Sequence, residues 1–312
     1  MKLKFVLKDT EYLNALVKAI QNTDKRVFID VGKDFDHQND ELLVTDISSQ
    51  ELKSSLKKRS LGGIVFLDAS GYSDLCDDDS SGPFTLNKYS PVSEMLSDFR
   101  LCYYKWTGEN LEYRNDAKLI GIFTDMSPKD SAFCSSLFAR QYIYRNGGEA
   151  LIIPLSHLDL SNAPHDVGME SFKKMIYYIE IGKKFPVDAF YLKDSYGVSY
   201  LRTPYGINPI AELDEKTMMM LVSYMTGSNF DIVILDAGCE YTKKNREIIG
   251  RAEHKLWLYH NDENDMTNIA LVNQLFSDPL QLKKIFIGGG MEKLSLNIDE
   301  YLNEILEGGM YV

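Results

Sequence analysis

The sequence predicts an α/β protein of two domains, each built on a mostly parallel sheet. Short apolar runs alternate with longer stretches of helical periodicity, the pattern of parallel strands joined by crossover helices. That alternation stops once, at residues 106–117 (WTGENLEYRNDA), which are polar, mixed in charge and aperiodic. A chain of 312 residues also fits two domains at roughly 100–200 residues each. The expected division is a domain at 1–105, a linker at 106–117 and a domain at 118–312.

In the first segment, residues 4–7 form a short apolar strand. Residues 10–21 carry Leu13, Leu16, Val17 and Ile20 at helical spacing, with Thr10 placed to cap the helix. Strands are expected at 26–31, 41–46 and 63–67, with a short helix at 50–58. Residues 69–83, rich in Ser, Gly and Asp, read as a long loop. A strand at 84–86 and a helix at 91–104 follow, with Pro91 suited to the first turn. That helix ends in Phe99, Leu101, Tyr103 and Tyr104, a cluster suited to an isologous contact if exposed.

In the second segment, residues 118–124 (KLIGIFT) are a near-continuous apolar strand, as buried parallel strands are. A loop at 125–130 leads into a helix at 131–145, closed by Gly147-Gly148. Strands follow at 149–155, 189–192, 198–202, 230–236 (FDIVILD), 255–259 and 284–287. Helices are expected at 165–182, 214–225 with Asp214 as cap, 242–252, 266–276 and 299–306. Met218-Met219-Met220 reads as core packing, and Gly288-Gly289-Gly290 as a turn.

Composition excludes several classes of function. Hydrophobic residues are 44% and charged residues 26%, an ordinary globular balance. Net charge is −12, divided as −3 over residues 1–107 and −9 over 108–312, so neither part has the positive surplus that non-specific nucleic-acid binding uses. Cys76, Cys102, Cys134 and Cys239 lack CxxC spacing and read as reduced thiols of a cytoplasmic protein. The histidines lack i, i+4 spacing, and no metal site is expected. No apolar run approaches the ~20 residues of a membrane span, and the acidic C-terminus does not suit an anionic surface, so no direct membrane insertion is expected.

An apolar strand, a phosphate-type loop, a helix, a Gly-Gly turn and a second apolar strand open the second segment, and FDIVILDAG follows. In this the segment resembles the MinD/ParA class of P-loop ATPases. The layout of the whole chain resembles the TadZ/CpaE-like pilus-assembly proteins, which place a receiver-like domain before an ATPase-like one. The resemblance implies a P-loop NTPase-like parallel sheet and a nucleotide site at Ser127, Lys129, Asp130, Ser131, Ala132, Asp236 and Gly238, with ATP and Mg²⁺ as its ligands. It also implies a homodimer, with the protein partners of a pilus or secretion machine.

The departures define a degenerate site. The family loop reads KGGxGK[ST]; here it is Thr124-Asp125-Met126-Ser127-Pro128-Lys129-Asp130-Ser131-Ala132, with no glycine. Non-glycine residues pay roughly 1–2 kcal/mol each in the left-handed region that turns N–H groups toward phosphate. Pro128 has no N–H to donate. Lys129 stands two residues before Ser131 rather than one. The family's second acid is missing or displaced to Asp159, whereas Asp236 and Gly238 keep their positions. The sequence therefore predicts a non-catalytic or weakly nucleotide-binding scaffold, a pseudo-ATPase recruited from the cytoplasm to a polar, membrane-associated machine.

The first segment resembles a receiver domain, which implies a flavodoxin-like sheet and a phosphoacceptor. Asp46 matches the acceptor, Asp9 one of the paired acids and Lys88 the lysine; Lys8 replaces the other acid, and the hydroxyl after Leu67-Asp68-Ala69 is displaced to Ser70. Lys8 beside the site would oppose Mg²⁺, or pair with Asp46. Two alternatives therefore stand beside the scaffold: a working ATPase using Lys129, Ser131 and Asp236, and a response regulator phosphorylated at Asp46.

Overall fold

The computed structural model describes residues 1–25, 27–35, 41–48, 51–52, 63–70, 83–108, 117–159, 169–204, 206–259, 274, 282–286 and 291–307. Most of the expected helices at 50–58 and 266–276, residues 71–82 of the loop, linker residues 109–116 and the Gly288–Gly290 turn lie outside them. Contacts divide the chain into two compact units, Met1–Leu111 with Phe185–Phe190, and Glu112–Lys184 with Tyr191–Val312.

The first unit holds β1 (Lys2–Val6), α1 (Thr10–Thr23), β2 (Phe28–Val31), β3 (Glu41–Thr45), β4 (Ile64–Asp68), β5 (Phe84–Asn87) and α2 (Val92–Thr107). All strand pairs are parallel, in the order β2-β1-β3-β4-β5. This is the flavodoxin-like doubly wound order, whose chain reversal lies between β1 and β3. Leu3, Phe5, Val44 and Val65 pack against Leu13, Leu16 and Ile20 of α1 and Met95 and Phe99 of α2. The residue capping α1 is Asp9, not Thr10: its carboxylate accepts from the Tyr12 N–H at 3.0 Å. Helix α2 continues into the expected linker, ending at Thr107 with Gly108 left-handed. Phe99 and Leu101 on it are buried, so they cannot supply the surface contact that the sequence suggested.

The second unit holds β6 (Lys118–Thr124), α3 (Pro128–Asn146), β7 (Ala150–Pro154), β8 (Leu158–Asp159), α4 (Glu170–Glu180), β9 (Tyr191–Lys193), β10 (Ser199–Leu201), β11 (Gly206–Ile207), α5 (Pro209–Glu212), α6 (Glu215–Thr226), β12 (Ile232–Gly238), α7 (Lys243–Gly250), β13 (His254–Tyr259), β14 (Lys283–Phe286) and α8 (Met291–Glu307). Its main sheet runs β14-β13-β6-β12-β7-β10-β9, parallel except for the antiparallel edge strand β9, while β8 and β11 form a separate antiparallel pair. Strand β12 lies between β6 and β7, far from both in sequence. One face packs on α3 and α8, through Phe138, Tyr142, Leu294 and Leu302. On the other face, Gly121 lets α7 approach closely, since a Cβ there would stand 2.5 Å from Ile249 Cγ2. Burial on both faces explains the continuous apolar runs.

Three element boundaries correct the sequence reading. Helix α3 begins at Pro128 rather than 131, because Ser127 caps it and proline suits the first helical position. Helix α8 begins at Met291, well before 299. Residues 187–189 are a turn of 3-10 helix, which delays the strand expected at 189 until Tyr191.

Candidate functional site

In the second unit, β6, a three-residue loop and α3 form a strand–loop–helix, and β12 brings its acidic end beside the helix start. Asp236 is 5% exposed. Its Oδ1 accepts from the Ser131 hydroxyl at 2.6 Å and from the Gly238 N–H at 3.0 Å; its Oδ2 accepts from the Ser135 hydroxyl at 2.8 Å. Gly238 takes a φ of 53°, where a side chain would be strained, and the ladder with β6 shifts register between Asp236 and Gly238. The carboxylate thus ties β12 to two successive turns of α3. Burial first, then the charges of Asp236 and Asp130, push the neighbouring Cys134 thiol up to about 12.

The start of α3 satisfies part of its own backbone. Ser127 Oγ accepts from the Asp130 N–H at 3.3 Å and donates to Asp130 Oδ2 at 2.6 Å. The Ser131 N–H bonds the Ser127 carbonyl at 3.0 Å, and the Met126 N–H bonds Thr124 Oγ1 at 3.1 Å. Pro128 has no N–H. The Asp130 carboxylate occupies the positive end of the helix, where an anion would otherwise sit. Lys129 is exposed in the first turn, and Ala132 is half-buried behind Ser131. A phosphate group finds few donors here: the Asp130 and Ser131 amides are taken, Pro128 has none, and the Asp130 carboxylate stands at the helix end.

Residues that sequence reasoning missed complete the edge. The Tyr241 hydroxyl donates to the Thr124 carbonyl at 2.6 Å, and its ring stacks on Trp257 at 5.8 Å. Glu240 receives the His157 N–H at 2.8 Å and lies 2.7 Å from His157 Nδ1, joining the loops after β7 and β12. Asn208 donates to the carbonyls of Pro154 and Ser156, at 2.8 Å each. None of these contacts has a local signal in the sequence, whereas Ser135, the other missed residue, stands at i, i+4 from Ser131. Asp159, the displaced acid, falls in β8.

In the first unit, the expected residues gather at the strand ends beside the chain reversal. Asp46 Oδ2 pairs with Lys88 Nζ at 3.0 Å, their side chains 10% and 12% exposed. Asp46 Oδ1 accepts the backbone N–H of Lys8 at 2.9 Å. The Lys8 ammonium pairs with Glu51 at 3.0 Å, so the alternative of a Lys8–Asp46 ion pair is not realised. Asp9 points its carboxylate at the α1 amides, and Ser70 bonds Asp68. The Lys88 ammonium lies 4.7 Å from the centre of the Tyr12 ring, and the Tyr12 hydroxyl donates to the Lys88 carbonyl. Burial, with smaller contributions from Tyr89, Asp46 and Asp9, pushes the Tyr12 phenol up to about 12.

No family model matches the sequence, and no curated protein matches it. Solved structures do. A ParA family ATPase from Chlorobium tepidum is similar at 13% identity and a TM-score of 0.45, over 60% of this chain and 81% of that one. A plasmid partition protein of Borrelia burgdorferi bound to AMPPNP is similar at 14% identity and a TM-score of 0.37, over 62% and 83%. The MinC:MinD cell division complex of Aquifex aeolicus is similar at 15% identity and a TM-score of 0.34, over 61% and 78%. At these values the likeness adds nothing to what the sheets themselves establish. The chain is an α/β protein with a five-stranded parallel sheet in flavodoxin-like order followed by a seven-stranded, mostly parallel sheet, and no described helix is long and apolar enough to cross a membrane.

Proposed function

We propose that this chain is a pseudo-ATPase scaffold, a homodimer that holds protein partners of a pilus or secretion assembly and does not turn over ATP. One observation supports it above the rest: Asp236, the acid that the resemblance assigns to magnesium, already accepts from Ser131, Ser135 and the Gly238 N–H. Opening that shell would strand two hydroxyls, and Ser127 and Pro128 leave few amides to compensate. The pilus or secretion setting rests on the receiver-then-ATPase layout of the sequence. In this reading the first unit is a docking module, with Asp46 held by Lys88.

Calorimetry with ATP, ADP and Mg²⁺ tests the reading. Binding should be millimolar or absent, and light scattering of the same samples should report a dimer with or without ATP. A dissociation constant below ~10 μM corresponds to about 7 kcal/mol of binding energy and would overturn the proposal, as would a monomer that dimerises only on adding ATP.

A further inference from the structure

Within the second unit, a groove of about 720 Å³ runs between α4 and a wall formed by Pro204 and residues 207–213. Its helical wall presents Met169, Ile176, Tyr177 and Glu180, which share one face of α4 and its entry. Met175 and Ile179 turn that helix's buried side into the protein, while Phe172, also buried, lines the groove beneath its rim. The opposite wall, stiffened by Pro204 and Pro209, carries Ile207 and Glu212. Tyr177 is 57% exposed, Ile207 70% and Met169 37%, and Ile181, one turn beyond Tyr177, is 51% exposed. Apolar groups this open along a rim suit a macromolecular partner better than a small ligand, which a closed pocket would bury.

Charge narrows the choice of partner. Lys173, on the helical wall, is paired with Glu170 at 3.2 Å. Glu180 and Glu212 leave the groove acidic; Glu180 receives a long 3.4 Å bond from the Thr217 hydroxyl. Lys244 bonds the Leu213 carbonyl at 3.0 Å, so it offsets part of the Glu212 charge from behind. We infer that this groove docks an amphipathic helix of a partner protein. The helix sets apolar side chains one turn apart against Tyr177 and Ile207, and carries Lys or Arg over Glu180 and Glu212. The inference deepens the scaffold reading and rests on it for the existence of a partner; the net charge of −12 would steer a basic partner inward.

The test is selection of a displayed random-peptide library on the immobilised full chain, followed by fluorescence polarisation with the best synthetic peptide. Enriched peptides should show apolar residues at i, i+3 or i+4 and i+7, with at least one Lys or Arg. Tyr177→Glu and Ile207→Glu should each weaken binding by about tenfold or more, as central contacts do. The Glu180→Lys, Glu212→Lys double variant should weaken it comparably and shift a repeat selection toward acidic peptides. These positions are exposed, and circular dichroism verifies that each variant folds. The proposal is overturned if no peptide is enriched, if the enriched peptides lack the apolar spacing or the basic residue, or if their binding ignores the groove variants. Failure here with ATP binding still absent removes the groove but leaves the scaffold reading; micromolar ATP binding does the reverse.

Discussion

At the scale of single residues, the proposed pseudo-ATPase reading turns on Asp236. Its position was legible because an apolar run ending in Asp-Ala-Gly marks a strand end. Its bonding was not, since the two serines lie about a hundred residues upstream and meet it only once β6 and β12 pair. Asp236→Ala should strand both hydroxyls and the Gly238 N–H inside the protein and destabilise it by about 2–4 kcal/mol. Asp236→Asn keeps one carbonyl acceptor and a donor the hydroxyls can turn to accept, so roughly half that loss is expected. Urea denaturation measures both. A neutral Asp236→Ala that nevertheless abolished ATP binding would mean the carboxylate serves a ligand rather than the fold. Asp46 and Lys88 show the same division. The sequence marks both residues as candidates, but it leaves the partner of the Lys8 side chain open, because the reach to Glu51 depends on where the chain lies after β3.

At the scale of elements, α3 is the instructive case. Reading 125–130 as a loop followed the resemblance, while local chemistry favoured an earlier start. Ser127-Pro128 with an acid at Asp130 is a cap, a first-turn proline and an N-terminal carboxylate in succession. The inner face that results is unusually polar, with Ser131, Cys134 and Ser135 all buried. Because the folded protein holds the Cys134 proton up to about 12, against an ordinary value of 9.0, the thiol's contribution to stability is complete below pH 9 and is lost as pH rises toward 12. The slope is at most about 1.4 kcal/mol per pH unit. Urea midpoints of the wild type should therefore fall more steeply between about pH 9 and 11 than those of Cys134→Ala. Parallel curves would show that the thiol reaches solvent.

At the scale of the whole molecule, the two sheets were legible because their central strands, such as β3, β6, β7 and β12, are buried enough to read as apolar runs. The return of Phe185–Phe190 to the first unit was not legible, because no local pattern marks a segment whose partners lie about ninety residues earlier. That return has a physical basis within the first unit. Arg100, with a side chain 8% exposed, pairs with Asp24 and lies 3.4 Å from Asp188, and Ser97 donates to the Ala189 carbonyl at 2.5 Å. Phe185 and Phe190 are each 1% exposed and meet edge to face. A fragment ending at residue 111 should therefore be a poor domain despite its complete sheet. It uncovers part of the Arg100 guanidinium and exposes apolar surface that two phenylalanines covered, each worth roughly 1.5–3 kcal/mol when buried. Rejoining residues 185–190 to that fragment through a Gly/Ser linker should recover a large part of the loss, because the six residues supply contacts rather than a fold of their own. Urea unfolding of the two fragments, followed by tryptophan fluorescence from Trp106, makes the comparison. Equal midpoints would mean that α2 is already complete without the returning segment and that the first unit ends where its sequence alternation does.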